Sequence, residues 1–232
     1  MQPGLHAATQ SERLRHKIEL LLPALVGAGR RLVTHRRVRD LYPEYLVTTH
    51  GIIRASVPLM EAAQGRARAL SETDPVSAAL AEYLGSHIAE EIDHDEWLLD
   101  DLEALGRDRS TVLAQPPSET VASLVGAQYY WIFHYHPVAL LGYIALLEGY
   151  PPTGELVDEL TARTGYGAEA FRTLRLHAEL DPGHRDELDE TLDALPLTPE
   201  QSTVLGLSAM HSVHMLARAI DDVIDEDSEA AA

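Results

Sequence analysis

The chain has 232 residues, enough for one substantial core and short for two comfortable domains. It contains no cysteine, which excludes disulfides, iron–sulfur clusters, thiolate metal sites and cysteine nucleophiles, and leaves His, Asp, Glu and Tyr to hold any metal. A formal net charge of -19 argues against nucleic acid and anionic membrane surfaces as partners, and the one basic stretch is GRRLVTHRRVR at 29–39.

The N-terminal MQPGLHAATQSERLRHK has no apolar core of a signal peptide, and no segment reaches the roughly 20 apolar residues that cross a bilayer. A cytoplasmic protein is therefore expected, with residues 1–232 forming one domain and 1–10 and 226–232 as disordered tails. Helix punctuation recurs along the chain while alternating strand patterns are scarce, which predicts an all-α domain.

In chain order, Ser11 is placed to cap a helix running to about Gly27 and bent near Pro23. A second helix is expected over about 41–69, interrupted at Pro58. The third begins at the Asp74-Pro75 cap and ends at Gly106, where a left-handed residue is readily accommodated. The fourth runs from Ser118 to Glu148-Gly149 with a kink at Pro137. Shorter helices follow over about 154–164, 167–180 and 182–195. The last begins at Thr198-Pro199, where Thr198 and Gln201 are spaced for a capping box, and ends near Asp225.

Polar residues inside the apolar helices carry the functional information. Positions three, four or seven apart share a helix face. In EYLGSHIAEEIDHDEWLLDDL, His87, Glu91 and His94 fall within about 60° of one another, with Glu90 at the edge. Glu91 and His94 form Glu-x-x-His, the spacing by which one helix offers a carboxylate and an imidazole to a metal inside a bundle; a solvated acidic face is the plain alternative. Glu148 ends the apolar run of the fourth helix, so it either surfaces there or meets a cation, and Tyr130 and His134 lie on its face. His50, Arg54 and Glu61 line up in THGIIRASVPLMEAA. There Arg54 either pairs with Glu61 or faces a cavity and anchors a carboxylate.

HAELDPGH at 177–184 places His177, Asp181 and His184 on one stripe if the helix continues through Pro182. Two imidazoles and a carboxylate suit iron or manganese, but Asp181-Pro182 also reads as the cap of a new helix. His211 and His214 lie beside the apolar stripe of the last helix as rim residues. Taken together, three helices offer Glu91 with His94, then Glu148, then His177, Asp181 and His184: three carboxylates and three imidazoles, enough for two iron ions with open positions for oxygen.

This ordered set resembles the heme-oxygenase-like di-iron oxidases, the non-heme branch of a superfamily that also holds heme oxygenases, thiaminase-like proteins and cofactorless oxidases. The resemblance rests most on His177-x3-Asp181-x2-His184 preceded by Glu148 and by a ligand helix ending in His94. It extends through RASVPLMEAA, HDEWLLDDLEALG and QYYWIFHYHPVALLGYIALLEGYPP, covering about residues 40–215. The resemblance implies a heme-oxygenase-like bundle of seven or eight helices that holds two iron ions, takes O2 as co-substrate and oxidises a small amino-acid, amine or fatty-acid-like molecule. Its metal ligands would be Glu91, His94, Glu148, His177, Asp181 and His184. Two departures stand out: His87 occupies the position where some relatives carry Glu seven residues before the His, so Glu61, His87 or Glu90 are alternates for the first ligand, and Pro182 lies inside the triad. Arg54, Tyr130 and His134 are candidates for the substrate-cavity wall, and Asp95 or Asp101 for contacts to the ligand histidines. A small-molecule substrate and a homodimer partner are expected. The competing readings are a heme-binding or cofactorless oxidase of the same superfamily, with His16 or His35 near the heme, and a non-catalytic iron-binding or helical partner protein.

Overall fold

A computed structural model describes residues 8–230, with the side chains of 226–230 left undescribed. The described residues form no strand. Eleven α-helical segments and two short 310 turns replace the seven or eight long helices expected, because several of those are divided.

Helix α1 (Gln10–Thr34) starts one turn-position earlier than expected: Thr9 accepts from the Glu12 amide and Glu12 answers to the Thr9 amide, so the capping box forms at Thr9 and not at Ser11. It continues through Pro23 and Gly27, since Ala28 and Leu32 bury against the last helix and packing overrides local propensity. The expected second helix is two, α2 (Val38–Ile53) and α3 (Ser56–Leu70). The break falls at Arg54–Ala55, because Pro58 sits in the first turn of α3, where its missing N–H has no partner to lose.

The third expected helix is also divided, into α4 (Pro75–Glu91) and α5 (His94–Ala104). Asp74 caps α4 through the Ser77 amide at 2.9 Å, and Gly106 closes α5 at a φ of 79°, both as the sequence predicts. A short α6 (Arg109–Ala114), capped by Asp108, was not anticipated. Ser118 caps α7 (Glu119–His134), and the chain leaves the helix at Tyr135, two residues ahead of the expected kink. Pro137 instead opens a 310 turn (Pro137–Ala139) that leads into α8 (Leu140–Leu147).

After α9 (Gly154–Thr164) and a 310 turn (Ala168–Phe171), α10 (Arg172–Ala194) runs unbroken through Pro182, where two helices were expected. The reason is a continuous buried stripe, Leu174, Asp181, Leu188 and Leu192, with Pro182 and Gly183 facing solvent, where a carbonyl freed by proline meets water. The final α11 (Pro199–Ala230) carries the predicted Thr198/Gln201 box, with bonds of 2.9 and 3.2 Å. It extends through most of the stretch expected as a loose C-terminal tail. The expectations for 1–7 and 231–232 lie outside the described residues.

A small buried apolar cluster joins α1, α2 and α11, and two larger ones fill the rest of the described residues. One gathers α1, α3, α4, α7, α8, the C-terminal half of α10 and α11; the other gathers α2, α5, α6, α9 and the start of α10. Gly142 lets α8 lie directly on α11: a Cβ there would stand 2.4 Å from the Leu205 carbonyl oxygen. The seam between the clusters is where α4 hands over to α5 and where α10 passes from Leu174 to Leu188.

Candidate metal centre

Glu91 and His94 flank the α4–α5 break. Ile92 is extended and Asp93 is left-handed at a φ of 70°, a conformation Asp tolerates better than most residues. His94 thus does not share a helix face with His87 and Glu91, as the continuous-helix reading required. The turn nevertheless brings His94 Nδ1 to 3.0 Å from Glu91 Oε2. Glu148, at the C-cap of α8, enters from a second direction and α10 supplies the rest.

The distances define one cluster. His184 Nδ1 lies 3.5 Å from Glu91 Oε1 and 3.8 Å from Glu148 Oε2. His177 Nδ1 is 3.0 Å from Asp181 Oδ1, and the His94 and His177 rings meet edge to face at 5.2 Å between centroids. His184 therefore points inward with His177, and Pro182 does not turn it away. Metal–donor bonds of about 2.1 Å at a right angle set two donors about 3 Å apart; the His94–Glu91 and His177–Asp181 pairs stand at that spacing, and the His184 pairs are wider at 3.5 and 3.8 Å.

The polar atoms at this seam are incompletely satisfied. Glu91 Oε1, Glu148 Oε2, His177 Nε2 and His184 Nδ1 are buried and make no hydrogen bond, and buried His94 Nδ1, though 3.0 Å from Glu91 Oε2, is not aligned for one. Buried polar groups are nearly always paired, and five unpaired atoms converging on one place, three imidazole nitrogens and two carboxylate oxygens, are the donor set a cation would satisfy. The local potential is negative as well. Burial alone would lower the His87 imidazole, but its hydrogen bond to Glu148 and the charges of Glu148, Glu91 and Glu90 outweigh that and push it up to about 9. His177 is raised in the same sense, by Asp181, Glu91 and Glu148 against the opposing effect of burial.

The alternates separate cleanly. His87, almost fully buried and stacked on Tyr83, bonds Glu148 Oε1 through Nε2 at 2.8 Å, and with Glu91 and Glu148 it forms a group of three whose potential ligand atoms lie within 4.8 Å. Glu90 is half exposed and reaches the rim, 3.6 Å from His87 and 3.8 Å from His184. Glu61 is exposed on α3, apart from the cluster, and no ion pair joins it to Arg54 among the described residues. Tyr130 and His134 are exposed and lie against each other on the outer face of α7; the inner face is Val121, Leu124, Gln128 and Ile132. They do not form a cavity wall. Arg54 does, in a cleft described below.

Several supports were not evident from sequence. Trp97 stacks on His94 at 4.0 Å and covers that side of the centre. Asp101 is fully buried and accepts from the Thr173 amide at 2.9 Å, so it holds the first turn of α10 and bonds none of the candidate ligand histidines among the described residues. Asp95 is likewise not bonded to one. Arg15 from α1 donates through Nη1 to the Ala145 carbonyl at 2.6 Å and through Nη2 to Asp189 at 2.7 Å, tying the end of α8 to α10. Gly149 makes room for it: a Cβ there would stand 2.0 Å from Nη1. Glu148 and His184 are thereby fixed relative to each other by one buried guanidinium.

An all-helical fold with carboxylates and imidazoles from four helical elements converging in its interior defines an all-α protein with a candidate metal centre. The chain belongs to the family described as iron-containing redox enzymes, whose sequence profile it matches over residues 55–217. Among solved structures it is similar to a domain of unknown function with a heme oxygenase-like fold from Shewanella denitrificans OS217, with a TM-score of 0.78, 19% identity, and 93% of this chain and 92% of that one covered. It is also similar to a TenA homolog from Pseudomonas syringae pv. tomato DC3000, with a TM-score of 0.62, 15% identity, and 89% and 92% covered. At these identities the likeness establishes the fold. No curated protein matches the chain significantly. Among the described residues, no helix is long and apolar enough to cross a membrane.

Proposed function

We propose that the protein is a non-heme di-iron oxidase that uses O2 to oxidise a small amino-acid, amine or fatty-acid-like substrate. The observation that carries this reading is the convergence of Glu91, His94, Glu148, His177, Asp181 and His184 with five buried, unpartnered donor atoms. Membership of an iron-containing redox family supports iron as the metal. When bound, iron would supply the electrons and the open coordination positions for reduction of O2.

The chain's own groups do the rest. The carboxylates of Glu91, Glu148 and Asp181 offset the charge of the cations, and the imidazoles of His94, His177 and His184 supply neutral nitrogen donors. His87 holds Glu148 by the 2.8 Å bond, keeping one carboxylate oxygen occupied and the other directed at His184. Trp97 closes the His94 side against water. A cavity of about 10 Å³ abuts Glu148, walled by Met60, Tyr143 and Leu147 among others. That is close to the lower limit for one water molecule.

The test is to give purified, iron-free protein Fe(II) under argon and then O2 with a panel of amino acids, amines and fatty acids. Two irons per chain and substrate-stimulated oxygen consumption are expected. Iron uptake with no stimulation by any class of substrate would favour a non-catalytic iron-binding protein, and a heme complex unaffected by Asp181→Ala would favour the heme-binding reading.

A further inference from the structure

A cleft of about 760 Å³ opens between α2, the 115–118 segment, α7 and α11, a volume typical of small-molecule sites. None of the six proposed metal ligands lines it. Its walls are largely apolar, including Val47, Val121, Val125 and Tyr129. Its acidic members are already engaged: Glu44 pairs with Arg107, and Asp222 accepts from Thr120. The Arg54 guanidinium has no ion-pair or hydrogen-bond partner among the described residues and stands in the cleft as its one positive charge. Beside it, one helical turn back on α2, His50 lines the same cleft. His50 is 2% exposed, with Nε2 buried and unpartnered. Burial first, and the neighbouring Arg54 second, lower its basicity, so at neutral pH it is an uncharged imidazole.

An apolar groove with one free guanidinium and one neutral, unsatisfied imidazole is a site for a molecule with a matching head and body. We propose that this cleft is a second ligand site, distinct from the metal centre, for an amphipathic organic monoanion such as a carboxylate, whose head is held by Arg54 and His50 and whose body lies along the valine-lined wall. A single cation suits one charge, since the protein's net charge of -19 disfavours polyanions. Arg54 can take a carboxylate through two parallel N–H donors, and the His50 Nε2 position finds the partner it lacks. The inference does not depend on iron, because the two sites share no lining residue.

The test uses full-length, iron-free protein and calorimetric titration with octanoate and with neutral octanamide. Octanoate should bind at one per chain and at least 10-fold more tightly than the amide. Arg54→Gln should remove that preference, with iron uptake unchanged. His50→Gln, which keeps a polar group in place, should weaken octanoate by a smaller factor. Equal affinity for acid and amide, no binding, or undiminished binding by Arg54→Gln would overturn the proposal. So would displacement of octanoate by Fe(II), which would show that the two sites are one. Failure to bind iron with octanoate binding intact would count against the metal centre alone.

Discussion

The two helical arms that carry the proposed ligand histidines behave in opposite ways. Between Glu91 and His94 the sequence has neither proline nor glycine, yet the chain breaks; between Asp181 and His184 it has both, yet the helix continues. Both arms cross the seam between the two larger clusters. Leu174, Asp181, Leu188 and Leu192 keep one stripe of α10 facing inward across Pro182, so continuity is favoured. On the other arm, Leu80 and Leu84 of α4 pack in one cluster and Leu98 and Leu102 of α5 in the other, and the chain crosses between them by the left-handed turn at Asp93. Helix boundaries here answer to tertiary packing before local propensity.

The comparison can be broken first at the ligands. His94→Ala on the broken arm and Asp181→Ala on the continuous arm should each reduce iron from two per chain to one or none, with affinity falling at least about 100-fold, at or beyond the upper end of what supporting residues cost. Metal analysis after desalting reads this. If only one arm mattered, the cluster would not be a shared centre.

The next effect tests the proline. Pro182→Ala restores a hydrogen bond to the Ala178 carbonyl and should stabilise the iron-free protein by about 1–3 kcal/mol in urea unfolding, with iron stoichiometry unchanged. A loss of iron would show that the proline's local geometry aims His184. On the other arm, Asp93→Val puts a β-branched side chain at a positive φ and should cost about 1–2 kcal/mol, whereas Asp93→Gly should be tolerated. If valine and glycine behaved alike, the left-handed turn would not be what joins Glu91 to His94.

The smallest effect is shared by both arms. Asp74 caps α4 and bonds His136, and Asp193 near the end of α10 accepts from the Ser11 amide and hydroxyl. Burial would raise both carboxyls, but these hydrogen bonds hold them below the ordinary range. A depressed carboxylate contributes stability above its unfolded value, near pH 3.9, that is lost as pH falls through the folded value. Stability should therefore drop below about pH 4, and the drop should shrink in Asp74→Asn and Asp193→Asn. An unchanged acid limb in both variants would remove these caps from the account.

Much of this was legible in the sequence wherever chemistry is local. Asp74, Ser118 and the Thr198/Gln201 pair cap where their side chains predict, and the i, i+4, i+7 spacing of His177, Asp181 and His184 survives because α10 survives. What was not legible depended on contacts distant in sequence. The role of His87 as the partner of Glu148 spans 61 residues, and Arg15 reaches 130 residues to Ala145. Tyr130 and His134 were placed on the wrong side because their register was carried past Tyr135, where the helix stops. The all-α class and the heme-oxygenase-like fold followed from punctuation and resemblance. The break between Glu91 and His94 carries no proline or glycine to announce it.

The central claim is that six side chains from four helical elements form one iron site. A crystal structure of Fe(II)-loaded protein, with anomalous scattering collected on both sides of the iron edge, tests it most directly. The account predicts two iron peaks enclosed by Glu91, His94, Glu148, His177, Asp181 and His184. Iron bound only at exposed acidic clusters, with those six side chains left as they are without metal, would contradict it.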